Sequence, residues 1–139
     1  MKLRALIADD EPLARERLRF LLAAHEEVEI AGECRNGREV AAALQGGPVD
    51  VLFLDIEMPG RGGFEVLERM AEQMDTARTP VTVFVTAHPQ FALRAFEVQA
   101  LDYLTKPVEA ERLGATLAHV RERIAAHRAL ATQEQLRAV

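Results

Sequence analysis

The chain has 139 residues, of which 49% are hydrophobic and 28% are charged, and its formal net charge is -5 at neutral pH. This size and composition favour one soluble globular domain over a disordered chain. The acidic balance excludes nucleic-acid binding through bulk electrostatics, because that mode of binding requires a basic face. We therefore expect this segment to bind a protein or a cation and not to contact nucleic acid directly.

Two features of the sequence concern the cellular compartment. Cys34 is the only cysteine and cannot form an internal disulfide, which fits a reducing compartment. The apolar stretch at residues 5–8 is too short for a signal peptide, and no run of residues approaches a membrane-spanning length. We therefore expect a cytoplasmic protein that has no contact with a membrane.

Hydrophobic patterning predicts strands and helices in alternation. The continuous apolar run that ends on Asp55 is typical of a strand buried on both faces of a parallel sheet. Pro12 suits the first turn of a helix, and Asn36 suits a helix cap. The predicted strands cover residues 3–8, 28–32, 50–55, 81–85 and 100–104. The predicted helices cover residues 12–24, 38–44, 64–74, 89–98 and a long segment that begins near residue 110.

This alternation implies an α/β fold, in which right-handed crossovers place helices on both faces of one parallel sheet. The first, third and fourth strands are the most apolar, so we expect them at the centre of the sheet. Residues 131–135 lose the apolar pattern of the last helix, which predicts a fraying end or a linker there.

Polar residues follow four of the predicted strands. Asp9 and Asp10 follow the first strand, Asp55 ends the third, Thr86 follows the fourth and Lys106 follows the fifth. The carboxyl ends of parallel strands share one edge of the sheet, so these residues are expected to converge there. Two carboxylates about 4 Å apart repel by about 4 kcal/mol at an effective dielectric near 20. The sequence therefore predicts positive charge at this edge.

Lys106 supplies one positive charge, and a divalent cation would supply the rest. Mg²⁺ favours oxygen ligands, keeps several waters and accepts phosphate oxygens. The spacing of the four histidines does not favour zinc. A carboxylate beside Mg²⁺, a lysine and a hydroxyl is equipped for phosphoryl transfer. Asp55 would attack in line, and the product would be an aspartyl phosphate.

Two other classes of site have sequence requirements that this chain does not meet in full. A Rossmann or P-loop nucleotide site needs glycines in the first strand-to-helix turn, and residues 9–12 contain none. A Mg²⁺-dependent phosphatase with an aspartate nucleophile would normally carry a second aspartate two residues after the nucleophile, where this chain has Glu57. That phosphatase remains an alternative.

The residues at the four strand ends, with those that follow them, match one known family. They are Asp9-Asp10, Asp55 with Met58-Pro59-Gly60, Thr86-Ala87 and Lys106-Pro107. This pattern resembles the receiver domain of two-component response regulators, in the right order and across nearly the whole chain. Residues 91–104 further resemble receivers attached to LytTR-type DNA-binding domains.

The resemblance implies a flavodoxin-like (βα)5 fold with a doubly wound sheet in strand order 2-1-3-4-5. It implies that Asp55 accepts a phosphoryl group from a sensor histidine kinase. Asp10 and Asp55 would hold Mg²⁺ together with the backbone carbonyl of Glu57, and Asp9 would help through water. Such a domain is not an enzyme for other substrates, since it catalyses only its own phosphorylation and dephosphorylation.

The resemblance also assigns roles to the later loops. Lys106 would pair with the phosphoryl group, and Thr86 would donate its hydroxyl to it. Tyr103 would be the aromatic residue that changes rotamer when Thr86 moves. In this family the bond between Lys106 and Pro107 is often cis.

Three further residues flank the predicted site. Glu57 and His88 lie beside the path of a hydrolytic water, and we hypothesise that they set the lifetime of the acylphosphate. Glu57 would add charge or orient the water, and His88 would screen it. Glu11 is interpreted as a solvated acid at a helix start, where the helix dipole favours it.

The signal is expected to leave through a face formed by the fourth helix, the fifth strand and the fifth helix. We expect phosphorylation to strengthen homodimerisation through this face. Residues 1–125 are predicted to form the receiver, and residues 126–139 a helical extension or linker to a missing output domain. We expect this chain to be the amino-terminal part of a transcription regulator. The alternative is a free-standing receiver that acts through a partner protein.

Overall fold

The architecture is a five-stranded parallel sheet covered by helices on both faces. A computed structural model describes residues 2–60, 62–75 and 78–138. The strands follow the order β2-β1-β3-β4-β5, which confirms the predicted flavodoxin-like fold. They are β1 (Leu3–Ala8), β2 (Val28–Cys34), β3 (Val51–Asp55), β4 (Val81–Thr86) and β5 (Asp102–Thr105).

The helices differ from the prediction mainly before the fifth strand. The predicted helix at 89–98 begins instead as a 3₁₀ turn, Pro89–Phe91, in which the Phe91 N–H donates to the carbonyl of His88. It ends before Gln99, whose φ of 64° is outside the helical region. The α-helices are α1 (Pro12–Leu22), α2 (Gly37–Gln45), α3 (Gly63–Gln73), α4 (Ala92–Glu97) and α5 (Ala110–Ala138).

The central strands are buried on both faces, as their continuous apolar runs predict. Successive side chains of a strand point to opposite faces, so β3 contributes to two separate cores. Phe53 packs in the core beneath α1 and α5, which includes Leu113 and Leu117. Leu52 packs in the core beneath α2, α3 and α4, which includes Phe64. All five residues of β3, including Asp55, are buried.

The start of α3 lies directly against the end of β3. A Cβ atom on Gly63 would lie only 2.6 Å from the carbonyl oxygen of Asp55. The Gly63 N–H donates to the carbonyl of Ile56 at 2.8 Å. A side chain at this position would displace the backbone that carries Asp55, so glycine allows the close approach.

The last helix is longer than the core requires. Its side chains Leu117 and Val120 are fully buried, whereas Leu130 and Leu136 are exposed. Residues 131–135 continue this helix, so the expected fraying there is not observed. The division at residues 125 and 126 stays a prediction, and Val139 lies outside the described residues. None of the described helices combines the length and the apolarity that crossing a bilayer requires.

Candidate functional site

The sheet register brings the predicted site residues to one edge. Ala8 pairs with Leu54 between β1 and β3, so Asp9 and Asp55 follow in neighbouring positions. Thr86 ends β4 beside the end of β5, and its carbonyl accepts the Lys106 N–H at 2.8 Å. The bond between Lys106 and Pro107 is cis, as the resemblance implied. Four loops therefore meet at the carboxyl ends of the strands.

Four carboxylates form a cluster at this edge. One oxygen from each of Asp9, Asp10, Glu11 and Asp55 lies within 4.8 Å of the others. The side chains of Asp9 and Asp55 are each only 6% exposed, whereas Asp10 and Glu11 are exposed. An all-oxygen set of donors suits a hard divalent cation. The residues present therefore fit Mg²⁺.

Lys106 lies inside this acidic cluster. Its Nζ atom is 2.8 Å from Asp9 Oδ2 and 2.8 Å from Glu11 Oε1. Asp55 Oδ2 is farther away, at 3.4 Å. Burial alone would lower the pKa of the Lys106 ammonium, but its hydrogen bonds to Asp9 and Glu11 and the charge of Asp55 hold that pKa above its usual value. Lys106 therefore stays charged and offsets part of the repulsion between the carboxylates.

The environment of Asp55 opposes its ionisation. Burial, reinforced by the charge of Asp9, raises the pKa of Asp55 to about 6, against the opposing effects of Lys106 and a backbone hydrogen bond. That hydrogen bond comes from the Glu57 N–H, which donates to Asp55 Oδ1 at 3.2 Å. Asp55 is therefore less easily ionised than an ordinary aspartate, a property common at functional sites.

Two arginines of α1 hold the loops that carry the site. Arg15 donates to the carbonyl of Asp9 at 2.8 Å and also pairs with Glu33 of β2. Arg17 donates to the carbonyl of Val108 at 2.9 Å, just beyond Lys106 and Pro107. Nothing in the sequence pattern distinguishes these arginines from the other charged residues of α1. Each arginine contacts the backbone of a loop outside α1. Helical spacing alone does not reveal contacts of this kind.

Glu57 and His88 contact each other at the rim of the site. Glu57 Oε2 lies 3.1 Å from His88 Nε2, and the pair carries opposite charges when His88 is protonated. The His88 ring also packs edge-on against Phe91, with ring centroids 6.0 Å apart. The two residues predicted to flank the water path are therefore joined, although their roles stay predictions.

The backbone of His88 links Thr86 to Tyr103. Thr86 is fully buried, and its Oγ1 accepts the His88 N–H at 3.1 Å. The hydroxyl of Tyr103 donates to the His88 carbonyl. The two predicted switch residues are therefore connected through one intervening residue and do not need to contact each other.

Glu11 is the site residue that sequence reasoning missed. It is exposed, as expected of an acid at a helix start, but its carboxylate pairs with Lys106 across 95 positions of sequence. The hydrogen bond and charge of Lys106 hold the pKa of Glu11 below its usual value. The signal available in the sequence was its position directly after Asp9 and Asp10.

The sheet is doubly wound, and several acids and one lysine meet at the carboxyl ends of its strands. These features define a receiver-type signalling domain. Residues 5–118 match the family of response regulator receiver domains, and the chain belongs to that family. The matched residues include the whole acidic cluster and Lys106.

Named relatives agree with this assignment. The transcriptional regulatory protein BtsR of Salmonella typhimurium is 47% identical over 120 residues, which are 86% of this chain and 48% of that protein. The sensory transduction protein LytT of Bacillus subtilis is 44% identical over 116 residues, which are 83% of this chain and 46% of that protein. The chain thus spans about half the length of the curated relatives it matches. They confirm the resemblance to receivers of LytTR-type regulators.

A solved structure supports the same fold. The response regulatory domain of protein mrkE from Klebsiella pneumoniae is similar to this chain with a TM-score of 0.75 and 31% sequence identity. The similarity covers 91% of this chain and 98% of that domain.

The raised pKa of Asp55 predicts that neutralising this side chain stabilises the fold, and that the stabilisation is larger at high pH than at low pH. Folding raises this pKa from 3.8 to about 6, so the charged carboxylate destabilises the fold increasingly as pH rises through that interval. Asp55→Asn is expected to raise the free energy of unfolding by about 2 kcal/mol near pH 7.5 and by much less near pH 4. Urea denaturation with a chelator present measures both values.

The matched control for this experiment is Glu72→Gln, which neutralises an exposed acid of α3. It should change stability little at either pH. An equal gain from Asp55→Asn at both pH values would contradict the assigned cause.

Proposed function

We propose that this chain is a phosphorylation-activated receiver in which Asp55 accepts a phosphoryl group from a sensor histidine kinase. The observation that carries the proposal is the position of Asp55, a buried carboxylate at the end of β3 with Lys106 and three other acids beside it. Burying the carboxylates of Asp9 and Asp55 is costly, and their use in phosphoryl transfer would account for that cost.

The proposed reaction is a transfer between two side chains. An oxygen of Asp55 forms a bond to phosphorus while the bond from phosphorus to the kinase imidazole nitrogen breaks, and that nitrogen keeps the electron pair. Lys106 donates to a phosphoryl oxygen, and Thr86 supplies its hydroxyl to another. With a pKa of about 6, Asp55 is about nine-tenths ionised at neutral pH and is available as the nucleophile.

The proposed cofactor is Mg²⁺. Asp10, Asp55 and the backbone carbonyl of Glu57 would hold it, with Asp9 acting through water. When bound, the ion supplies positive charge to the phosphoryl oxygens. The chain would act only on itself, as a switch and not as an enzyme for other substrates.

The proposed output is regulation of transcription. BtsR is named a transcriptional regulatory protein, and this chain spans about half of it. We therefore place DNA binding in a separate domain, since this chain is acidic. The alternative is a free-standing receiver that acts through a partner protein. The buried, unpaired thiol of Cys34 supports action in the cytoplasm.

The proposed route of the signal is the α4–β5–α5 face. Tyr103 of β5 joins the site to this face through the His88 carbonyl. Asp102 fastens β5 to α5 by accepting from Thr116 at 2.7 Å and from Arg112. On α4, Leu93 and Phe96 are 71% and 70% exposed, which is unusual for large apolar side chains on one short helix. This apolar surface is suited to homodimerisation.

The rim pair is proposed to set the lifetime of the acylphosphate. Glu57 and His88 contact each other, and in this proposal a hydrolytic water would approach Asp55 past this contact. The joined side chains would obstruct this approach, and separation of the pair would open it.

Phosphorylation of Asp55 is the central prediction. Incubation with a small acyl phosphate and Mg²⁺ should add one phosphoryl group to the chain, because Asp55 is mostly ionised at neutral pH and because Lys106 and Mg²⁺ would neutralise charge on the phosphoryl oxygens. Intact mass spectrometry measures the gain. Asp55→Asn is the control and should show none.

Two results would contradict the proposal. An equal gain of mass in Asp55→Asn would place the modification elsewhere. Repeated release of phosphate from an external phosphomonoester would favour the phosphatase alternative.

Dimerisation should depend on the exposed apolar residues of α4. With beryllofluoride and Mg²⁺ as phosphoryl mimic, sedimentation should show a higher dimer fraction than without it. Phe96→Ser should weaken the dimer by about tenfold or more, because burial of one such side chain contributes about 1.5 kcal/mol or more. Phe20→Ser, at an equally exposed position on α1, is the matched control. An unchanged monomer fraction on adding the mimic would exclude this role of the face.

The lifetime proposal predicts non-additive variants. Glu57→Gln and His88→Ala should each speed decay of the acylphosphate by about two- to fivefold, the effect of losing one exposed contact. The double variant should decay no faster than the more affected single variant, since both lose the same contact. Decay of phosphorylated protein in intact mass spectra measures each rate. Unchanged decay in both single variants would remove the pair from the mechanism.

A further inference from the structure

Lys106 is held by two carboxylates that are not the proposed phosphoryl acceptor. Its ammonium has three N–H donors and contacts three carboxylates, but the contact with Asp55 is the longest of the three. Asp9 and Glu11 each lie 2.8 Å from Nζ, whereas Asp55 lies at 3.4 Å. The lysine that the phosphoryl group would need is therefore bound more closely to other anions.

Asp9 and Glu11 differ in how firmly they are fixed. The Asp9 side chain is 6% exposed, and its Oδ1 accepts the Glu11 N–H at 2.9 Å. The Glu11 side chain is 63% exposed, and within the described part of the chain its carboxylate contacts only Lys106. The Lys106 side chain is only 15% exposed, but the solvent-exposed Glu11 carboxylate can exchange this contact for water at a small cost. Glu11 is therefore the contact that Lys106 can most readily give up.

We propose that Glu11 is a positioning residue that holds Lys106 away from Asp55 before phosphorylation and competes with the phosphoryl group for it afterwards. This inference rests on the proposed function, since it concerns regulation of the same site. The strength of the contact between Glu11 and Lys106 therefore determines how much free energy is needed to move Lys106 to the phosphoryl group.

The position of Glu11 implies opposite effects on the two ligands of the site. For a divalent cation, Glu11 is favourable, because it adds negative charge nearby and draws the competing ammonium away from Asp55. For a phosphoryl group, Glu11 is unfavourable, because it repels the added negative charge and retains the lysine. A residue that acted only on stability would not separate the two affinities in this way.

The test uses Glu11→Gln, which removes the charge at an exposed position and nearly conserves the shape. The affinity for Mg²⁺ should fall, and the affinity for beryllofluoride at saturating Mg²⁺ should rise, each by about two- to fivefold. Isothermal titration calorimetry measures both. Glu16→Gln is the matched control, because Glu16 is an exposed acid of α1 that makes no ion pair among the described residues. Neither affinity should change in that variant.

A second comparison identifies the route. In a Lys106→Met background, Glu11→Gln should strengthen beryllofluoride binding much less, because the lysine that Glu11 retains is gone and only the direct repulsion by the Glu11 carboxylate remains. Persistence of the full effect there would overturn the proposal, as would a shift of both affinities in the same direction or no shift in the first experiment. Failure of the unaltered chain to bind beryllofluoride at all would instead refute the proposed function.

Discussion

The ammonium of Lys106 is the one positive charge, among the described residues, that lies within the acidic cluster. Asp9 and Asp55 are both buried at adjacent strand ends, where two ionised carboxylates repel. Lys106 lowers the cost of keeping them together in the absence of a cation. It also joins the loop after β5 to the ends of β1 and β3. The electrostatics of the site and the closure of this edge of the sheet therefore depend on the same contact.

Backbone contacts make that arrangement possible. The Lys106 N–H donates to the carbonyl of Thr86, and Arg17 of α1 donates to the carbonyl of Val108. Gly63 lets α3 begin directly against the carbonyl of Asp55. Charged side chains with several donors are accurately placed only when the chain that carries them has little freedom. The loops of this site are held by α1 and α3, and those helices are held by the two cores.

The sequence was sufficient for the sheet and for the convergence of its polar ends, because both follow from buried runs and from parallel topology. Asp55 and Lys106 could therefore be placed at one edge without coordinates. Individual contacts between side chains could not be predicted, because they depend on how side chains extend between loops that are distant in sequence. The contact of Glu11 with Lys106 and that of Glu57 with His88 are of this kind. The 3₁₀ turn after His88 was also missed, because Pro89 suits the start of either kind of helix.

The side chain and the backbone of His88 contact different residues. The imidazole faces Glu57 at the rim, whereas the N–H and carbonyl face Thr86 and Tyr103. Any residue other than proline keeps both backbone groups at this position, so the proposed link from the site to the α4–β5–α5 face does not depend on the imidazole. In the proposed mechanism, a change of the imidazole would alter access of water to Asp55 without breaking that link. The duration of the proposed signal and its transmission would then be adjusted independently at a single residue.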